Sequence, residues 1–269
     1  MLPLLLIDGD IVAFRCASSA EGDNVRIARA RMEEMLVGIF DDLRSDRYRI
    51  FISGENNFRH SLYPQYKANR VSRPRPRFLE DCREHLIKYW NAELADGWEA
   101  DDELGIAQTE AISSNSPSII CSIDKDLKQV PGMHWNFVKK ESDDVSDIAG
   151  LRRFYTQVLT GDSTDNVPGL PGIGPVKAKG LLGECDDPTE LFQRTRTAFD
   201  DDSYFHLMGC LIWILREPGK IWEFPQGSAS GRTGTIRGVE LVNDDQSILG
   251  ETSMASNIEE ISETLREPE

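Results

Sequence analysis

Leu4-Leu5-Leu6-Ile7-Asp8-Gly9-Asp10 opens the chain with four consecutive aliphatic residues that stop on acids. A strand with one wet face would alternate, so a run this short and uninterrupted reads as a strand buried on both faces. The pattern recurs in Tyr48–Ser53 (YRIFIS) and in Ser118–Ile123 (SIICSI), the latter followed by Asp124-Lys125-Asp126; Trp135–Val138 is a candidate fourth strand. Between them, residues 26–44 place Ile27, Met32, Met35, Leu36, Ile39, Phe40 and Leu43 at helical spacing, residues 78–92 do likewise, and Glu99–Ala107 begins another helix. Strand–helix alternation of this kind implies an α/β domain with a mainly parallel central sheet flanked by helices. Ligands of such sheets bind at the carboxyl ends of the strands, where Asp8 and Asp124 fall.

The strand signal stops near residue 147. Helical patterns at 150–160 and 176–183 then flank the turn-rich Gly169–Pro175 (GLPGIGP), and an apolar helix runs from Tyr204 to Leu215. We therefore divide the chain into an α/β domain over 1–146, a helical subdomain over 147–224 and, where Gly, Ser, Thr and Glu take over, an extension or flexible acidic tail over 225–269.

Composition narrows the function classes. With 269 residues the chain can bury a sizeable core. A net charge of −16 argues against non-specific attraction to DNA or to an anionic membrane, so a nucleic-acid enzyme of this balance must gather positive charge locally or screen its acids with cations. The five cysteines (Cys16, Cys82, Cys121, Cys185, Cys210) include no C-x-x-C pair, which fits reduced thiols in a cytoplasmic protein. No stretch approaches the ~20 apolar residues of a membrane span, and the seven-residue apolar start lacks the features of a signal peptide.

The acids fall in four clusters. Asp8 and Asp10 are two apart, which on a strand puts both side chains on one face; Asp124 and Asp126 repeat the spacing. Glu99, Asp101 and Asp102 precede a helix, where acids commonly serve as caps. Asp162 and Asp165 would share one face of a helical turn. Singly, each has an ordinary structural explanation as a turn or cap. Together they form an oxygen-only donor set, without nearby His or Cys, of the kind that suits magnesium or manganese.

Two further elements point toward a phosphate backbone. Gly172-Ile173-Gly174, followed by Lys177 and Lys179 at a helix start, offers free backbone N–H groups and ammonium charge; the G-x-x-x-x-G-K-[ST] pattern of nucleotide-hydrolysing phosphate loops is absent. Arg59, Lys67, Arg70, Arg73, Arg75 and Arg77, with Tyr63 and Tyr66 among them, concentrate basic charge in a proline-punctuated segment, where aromatics could stack on unpaired bases.

The ordered set Ile7-Asp8-Gly9-Asp10, Phe58-Arg59 with Tyr66-Lys67-Ala68-Asn69-Arg70, Glu99-Ala100-Asp101-Asp102, Ser122-to-Asp126, Gly161-to-Asn166 and Gly169-to-Lys179 resembles the 5′→3′ exonuclease and flap endonuclease family, in the form found in bacteriophages and in the nuclease domain of bacterial DNA polymerase I. The resemblance covers roughly residues 4–183. It implies a PIN-like 5′ nuclease fold with a basic arch, here over about 63–92, and a helix–three-turn–helix element gripping duplex. It further implies metal binding by Asp8, Glu99, Asp101, Asp102, Asp124, Asp126, Asp162 and Asp165, and action of Lys67 and Arg70 on the scissile phosphate. DNA contacts would come from Arg59, Lys67, Arg70, Gly172, Ile173, Gly174, Lys177 and Lys179. The implied cofactor is Mg2+, with Mn2+ able to substitute, and K+ at the Gly172–Gly174 turn.

One departure stands out. The family places an aspartate after the second strand, where this chain has Ser53-Gly54-Glu55, so Glu55 either reaches the metal from one residue along or that ligand is missing. The expected activity is hydrolysis at DNA 5′ ends or 5′ flap junctions, extending to RNA primers in RNA–DNA hybrids. Replication proteins are candidate partners, and a phage enzyme would work in the host cytoplasm. The rival expectations are a non-catalytic, structure-selective DNA clamp on the same fold and, further off, a ribonuclease of related fold.

Overall fold

The computed structural model describes residues 2–71 and 74–226. Arg73 and nearly all of the expected 225–269 extension lie outside the described residues. In chain order the elements are β1 (Leu4–Asp8), α1 (Gly9–Ser19), α2 (Val25–Leu43), β2 (Tyr48–Ser53), α3 (Phe58–Leu62), α4 (Leu79–Trp90), β3 (Glu93–Ala95), α5 (Ala100–Ser113), β4 (Ser118–Cys121), β5 (Gly132–Asn136), β6 (Glu141–Val145), α6 (Asp147–Thr160), α7 (Pro175–Leu182), α8 (Pro188–Ala198) and α9 (Asp202–Ile212). Short 3-10 turns occupy Ala68–Arg70 and Asp126–Gln129.

The chain forms two compact units. One comprises Met1–Asn57, Ser72–Gly150 and Ile214–Glu217; the other comprises Phe58–Val71, Leu151–Trp213 and the chain from Pro218 onward. The main crossing point falls between Gly150 and Leu151. The basic stretch, expected as one arch, is divided after Val71, and Ile214–Glu217 returns to the first unit.

In the first unit a six-stranded sheet runs in the order β3-β2-β1-β4-β5-β6. All neighbours are parallel except β5 and β6. Successive strand residues serve opposite faces. Leu5, Ile7, Ile50, Ile52 and Cys121 pack with Val12 and Cys16 of α1, Met32 and Leu36 of α2, and Cys82 and Leu86 of α4. Leu6, Phe51 and Ile120 pack with Ala100, Leu104 and Ala107 of α5. Both faces are thus covered, which is why β1 carries no polar alternation. Each Val, Leu, Ile, Phe or Met side chain among them, taken fully out of water, contributes ~1.5–3 kcal/mol.

Three strands differ from expectation: the candidate fourth strand, expected over Trp135–Val138, is β5 at Gly132–Asn136, and the chain turns at 137–140. β3 is only three residues long, too short for a periodic signal. β6 (ESDDV) is charged and exposed except at Val145, a composition that protects a sheet edge from pairing with another chain. The first acidic pair is also placed differently. Asp8 ends β1 and caps α1, accepting from Ile11 N at 3.0 Å, and Asp10 lies in the first helical turn. This immediate strand-to-helix turn requires Gly9, where a Cβ would meet the Phe51 carbonyl oxygen at 2.6 Å.

The second unit is helical, with a core of clustered rings that includes Phe154, Phe192, Phe205, Trp213 and Trp222. Here α6 ends in a turn closed by pairing between Asp162 and Val167, and a further turn leads into α7. Gly161 (φ +70°) and Gly169 (φ +62°) hold that turn back to back: a Cβ on Gly169 would lie 2.2 Å from Gly161 N. Tyr204 in α9 donates to the Gly169 carbonyl at 2.7 Å. Gly169→Ala is expected to destabilise the protein by more than ~1 kcal/mol, because strain from a positive φ adds to a clash that only backbone can relieve; urea unfolding measures it.

Candidate active site

Of the first-unit acids, Asp8, Asp10, Asp124 and Asp126 lie at the carboxyl ends of β1 and β4. Asp8 is 2% exposed. Its Oδ1 takes the Ile11 N–H and its Oδ2 the Ser122 hydroxyl at 2.6 Å. Burial, opposed by those hydrogen bonds but reinforced by the nearby charges of Asp10 and Asp124, pushes its carboxyl up to about 7. Ser122 relays further, since its Oγ accepts from Asp124 N at 2.9 Å, and Asp124 Oδ1 in turn accepts from Asp126 N at 2.8 Å.

Asp10 is held on both oxygens: Oδ2 accepts from Ser53 N at 2.9 Å, and Oδ1 pairs with Arg83, which also donates to the Ser53 carbonyl. Ser53, the strand-end residue where an aspartate was expected, uses its hydroxyl to accept from Ala100 N at 2.9 Å, at the start of α5. Glu55 is exposed. Arg83 was not anticipated from sequence. It falls in the i, i+3, i+4, i+7 stripe of Leu79, Cys82, Arg83 and Leu86, and a cation in an otherwise apolar stripe is the signal that could have found it.

The third cluster divides by orientation. Glu99 caps α5 and forms a reciprocal capping box with Asp102. Asp102 is fully buried; its Oδ2 accepts from Glu99 N at 3.0 Å and its Oδ1 from Leu215 N at 2.9 Å, pinning the returning segment. Asp101 is half-buried on the same turn. Among the described residues, no three Asp, Glu, His or Cys side chains are placed to close on one ion. The donor chemistry nevertheless fits a hard cation: the acids are oxygen-only, and Asp8 carries a charge that its own environment resists.

In the second unit, Lys67 and Arg70 meet the Asp162–Asp165 turn. Asp165 accepts from Tyr66 Oη at 3.1 Å and pairs with Lys67 Nζ at 3.5 Å and with Arg70. Asp162 Oδ1 accepts from Thr164 N at 2.7 Å. The turn before α7 is exposed at Gly172, Gly174, Lys177 and Lys179, with Ile173 half-buried, and Lys177 Nζ donates to the Gly172 carbonyl at 2.7 Å. Nothing lies within 4 Å of a Cβ placed on Gly174. Arg59, expected on a nucleic-acid surface, is 3% exposed. Its guanidinium donates to the Leu211 and Trp213 carbonyls at the end of α9, so it serves as an internal helix cap.

Residues 3–156 match the family described as the 5′-3′ exonuclease, N-terminal resolvase-like domain. DNA polymerase I of Rhizobium leguminosarum is 36% identical over 160 residues, which is 54% of this chain and 16% of that polymerase's length. A flap endonuclease Xni of Shewanella baltica is 26% identical over 195 residues, covering 68% of this chain and 74% of the relative. The solved structure of the bacteriophage T5 flap endonuclease with DNA and metal ions superposes with a TM-score of 0.62 at 15% identity, covering 79% of this chain and 88% of that one. At that identity the likeness establishes the fold.

The raised carboxyl of Asp8 has a measurable consequence. Its folded value of about 7 stands above the ordinary 3.8, so the cost is absent below pH 4, grows as pH rises, and is complete above 7. In EDTA, Asp8→Asn is expected to melt several degrees above the parent protein at pH 8, and the gap should close as pH approaches 4 in thermal scans.

Proposed function

As a member of the 5′-3′ exonuclease family, this chain, we propose, is a divalent-metal-dependent 5′ nuclease that hydrolyses phosphodiester bonds at DNA 5′ ends or 5′ flap junctions, and at RNA primers in RNA–DNA hybrids. The observation that supports this most is the convergence of Asp8, Asp10 and Asp124 at the carboxyl ends of β1 and β4, inside the family-matched region. Asp8, Asp101, Asp124 and Asp126, with Asp10 once released by Arg83, are the donors suited to Mg2+ or Mn2+. A bound divalent pair supplies charge that offsets the phosphodiester's own and lowers the pKa of water for in-line attack.

The chain's own residues have separable tasks. Ser122 and Ile11 hold Asp8 in one orientation, and Ser53 does so for Asp10. Lys67 and Arg70 present positive charge for the developing charge at the phosphate. The Gly172–Gly174 turn and Lys177 and Lys179 bind duplex backbone; if K+ were bound there, the backbone carbonyls of that turn would hold it, and it would add positive charge toward a phosphate. The described helices include none long and apolar enough to cross a membrane, and replication proteins working in the cytoplasm are the natural partners.

A second reading, a non-catalytic junction clamp, draws on Ser53 at the expected aspartate position and on the Arg83–Asp10 pair. EDTA-sensitive release of nucleotides from a 5′-labelled duplex or flap is the expected result. Metal-independent junction binding without cleavage, even in manganese, would favour the clamp. Replacing Lys177 and Lys179 together by alanine is expected to weaken duplex binding about equally across sequences. It should also lower the slope of log affinity against log salt by ~2, as read by fluorescence anisotropy over a salt series.

A further inference from the structure

Asp10 belongs to the start of α1, yet its carboxylate stands at the end of β2, where Oδ2 accepts from Ser53 N at 2.9 Å. β2 brings no acid of its own to that point. The Ser53 hydroxyl accepts from Ala100 N at 2.9 Å, and Glu55 is exposed. The neighbouring helix therefore lends this strand end its carboxylate. The charge of Asp10 reaches the other acids, since Asp10 and Asp124 both help to push the Asp8 carboxyl up.

The two oxygens of Asp10 are held by unlike partners. Ser53 N belongs to the sheet backbone, in register with β3, and fixes Oδ2 in place. Oδ1 meets the guanidinium of Arg83, carried from α4 on a long side chain that is 21% exposed. Arg83 also donates to the Ser53 carbonyl. Its Nε lies 3.6 Å from the carboxylate of Glu80, one turn earlier on α4 and 67% exposed. A second anion thus stands beside the guanidinium, so Arg83 can let go of Asp10 without leaving its charge unpaired. Asp10 would keep its orientation through Ser53 N and have Oδ1 to offer another cation. A guanidinium and a divalent ion on one carboxylate oxygen repel each other, so the two exclude one another there.

We propose that Arg83 is a built-in competitor for the divalent ion. The guanidinium and the metal exchange on the Asp10 carboxylate, and the strength of the Arg83 pair sets how tightly the Asp8, Asp10 and Asp124 acids hold that ion. The proposal rests on the divalent-metal reading of the site. Arg83 acts through Asp10 and not on the phosphodiester, so its influence is read in metal binding without any nucleic acid present.

The test is Mn2+ binding in the absence of DNA, followed by isothermal titration calorimetry and electron paramagnetic resonance. Arg83→Gln is expected to bind Mn2+ about five-fold tighter than the parent protein, the scale of a partly solvated ion pair. Asp10→Asn is expected to bind it about ten-fold more weakly. On that background Arg83→Gln should add less than about two-fold, because no carboxylate remains for it to release. A gain that persists in full without Asp10 is a general field effect and overturns the proposal. So does equal or weaker binding in Arg83→Gln, or unchanged binding in Asp10→Asn. If neither the parent nor Arg83→Gln takes up Mn2+, the metal reading fails and the proposal with it. A parent that binds Mn2+ no less tightly than Arg83→Gln overturns the proposal alone. Should Arg83→Gln not fold, Arg83→Lys keeps the charge but gives up the forked grip on Asp10 and the Ser53 carbonyl. That variant is expected to bind Mn2+ about two-fold tighter, and equal or weaker binding counts against the proposal.

Discussion

The central strand carries a carboxylate into the interior, and much of the first unit's arrangement meets the demands of that one group. A buried anion must be given donors or lose its charge. The Ile11 amide is available to Asp8 only if a helix begins at once, so α1 starts at Gly9. That start presses the backbone against β2, which is why residue 9 has no side chain. The second donor, Ser122, fixes the loop beyond β4, and the same hydroxyl orders the Asp124 amide. Strand end, helix start and the second acidic loop are thus joined through two oxygens. Two donors do not fully compensate burial beside Asp10 and Asp124, and the remaining imbalance is of the kind a cation relieves.

Arg83 supplies positive charge at Asp10. Its side chain and that of Asp10 are 21% and 32% exposed, and partly solvated pairs of this kind contribute only ~0–1 kcal/mol. A divalent ion coordinated by several carboxylates competes easily against such a contact, so the Arg83 pair is compatible with metal entry. Asp102 is different. Its oxygens are spent on amides in a dry environment, one of them from Leu215. Redirecting it toward a metal would strand buried N–H groups, each costing ~1–3 kcal/mol.

The sheet was legible because its central strands are buried on both faces and so read as unbroken apolar runs, and the helix–turn–helix because Gly169 and Gly172 have positive φ. β3 and β6 were not legible: one is too short for periodicity, and the other is stabilised by its partner's ladder and carries acids. At the site, sequence located the acidic clusters but not their orientation. The capping role of Asp102 depends on Leu215, 113 residues away, and Arg59's on carbonyls 152 and 154 residues away. Local spacing holds no record of such partners. The contacts of Ser53 and the role of Arg83 escaped notice for a related reason, since a serine at a strand end and an arginine in a helix acquire meaning only once Asp10 stands beside them.

The same distinction governs the protein's charge. The basic stretch from Arg59 to Arg77 looks like a polyanion-binding patch in an otherwise acidic chain, but its cations are largely committed. Arg59 is buried against α9, Lys67 and Arg70 share Asp165, and Arg75 lies 3.6 Å from Glu80. With a net charge of −16, long-range attraction to duplex is therefore weak. A polyanion would have to be held by short-range contacts, for which the exposed Lys177 and Lys179 of α7 are available.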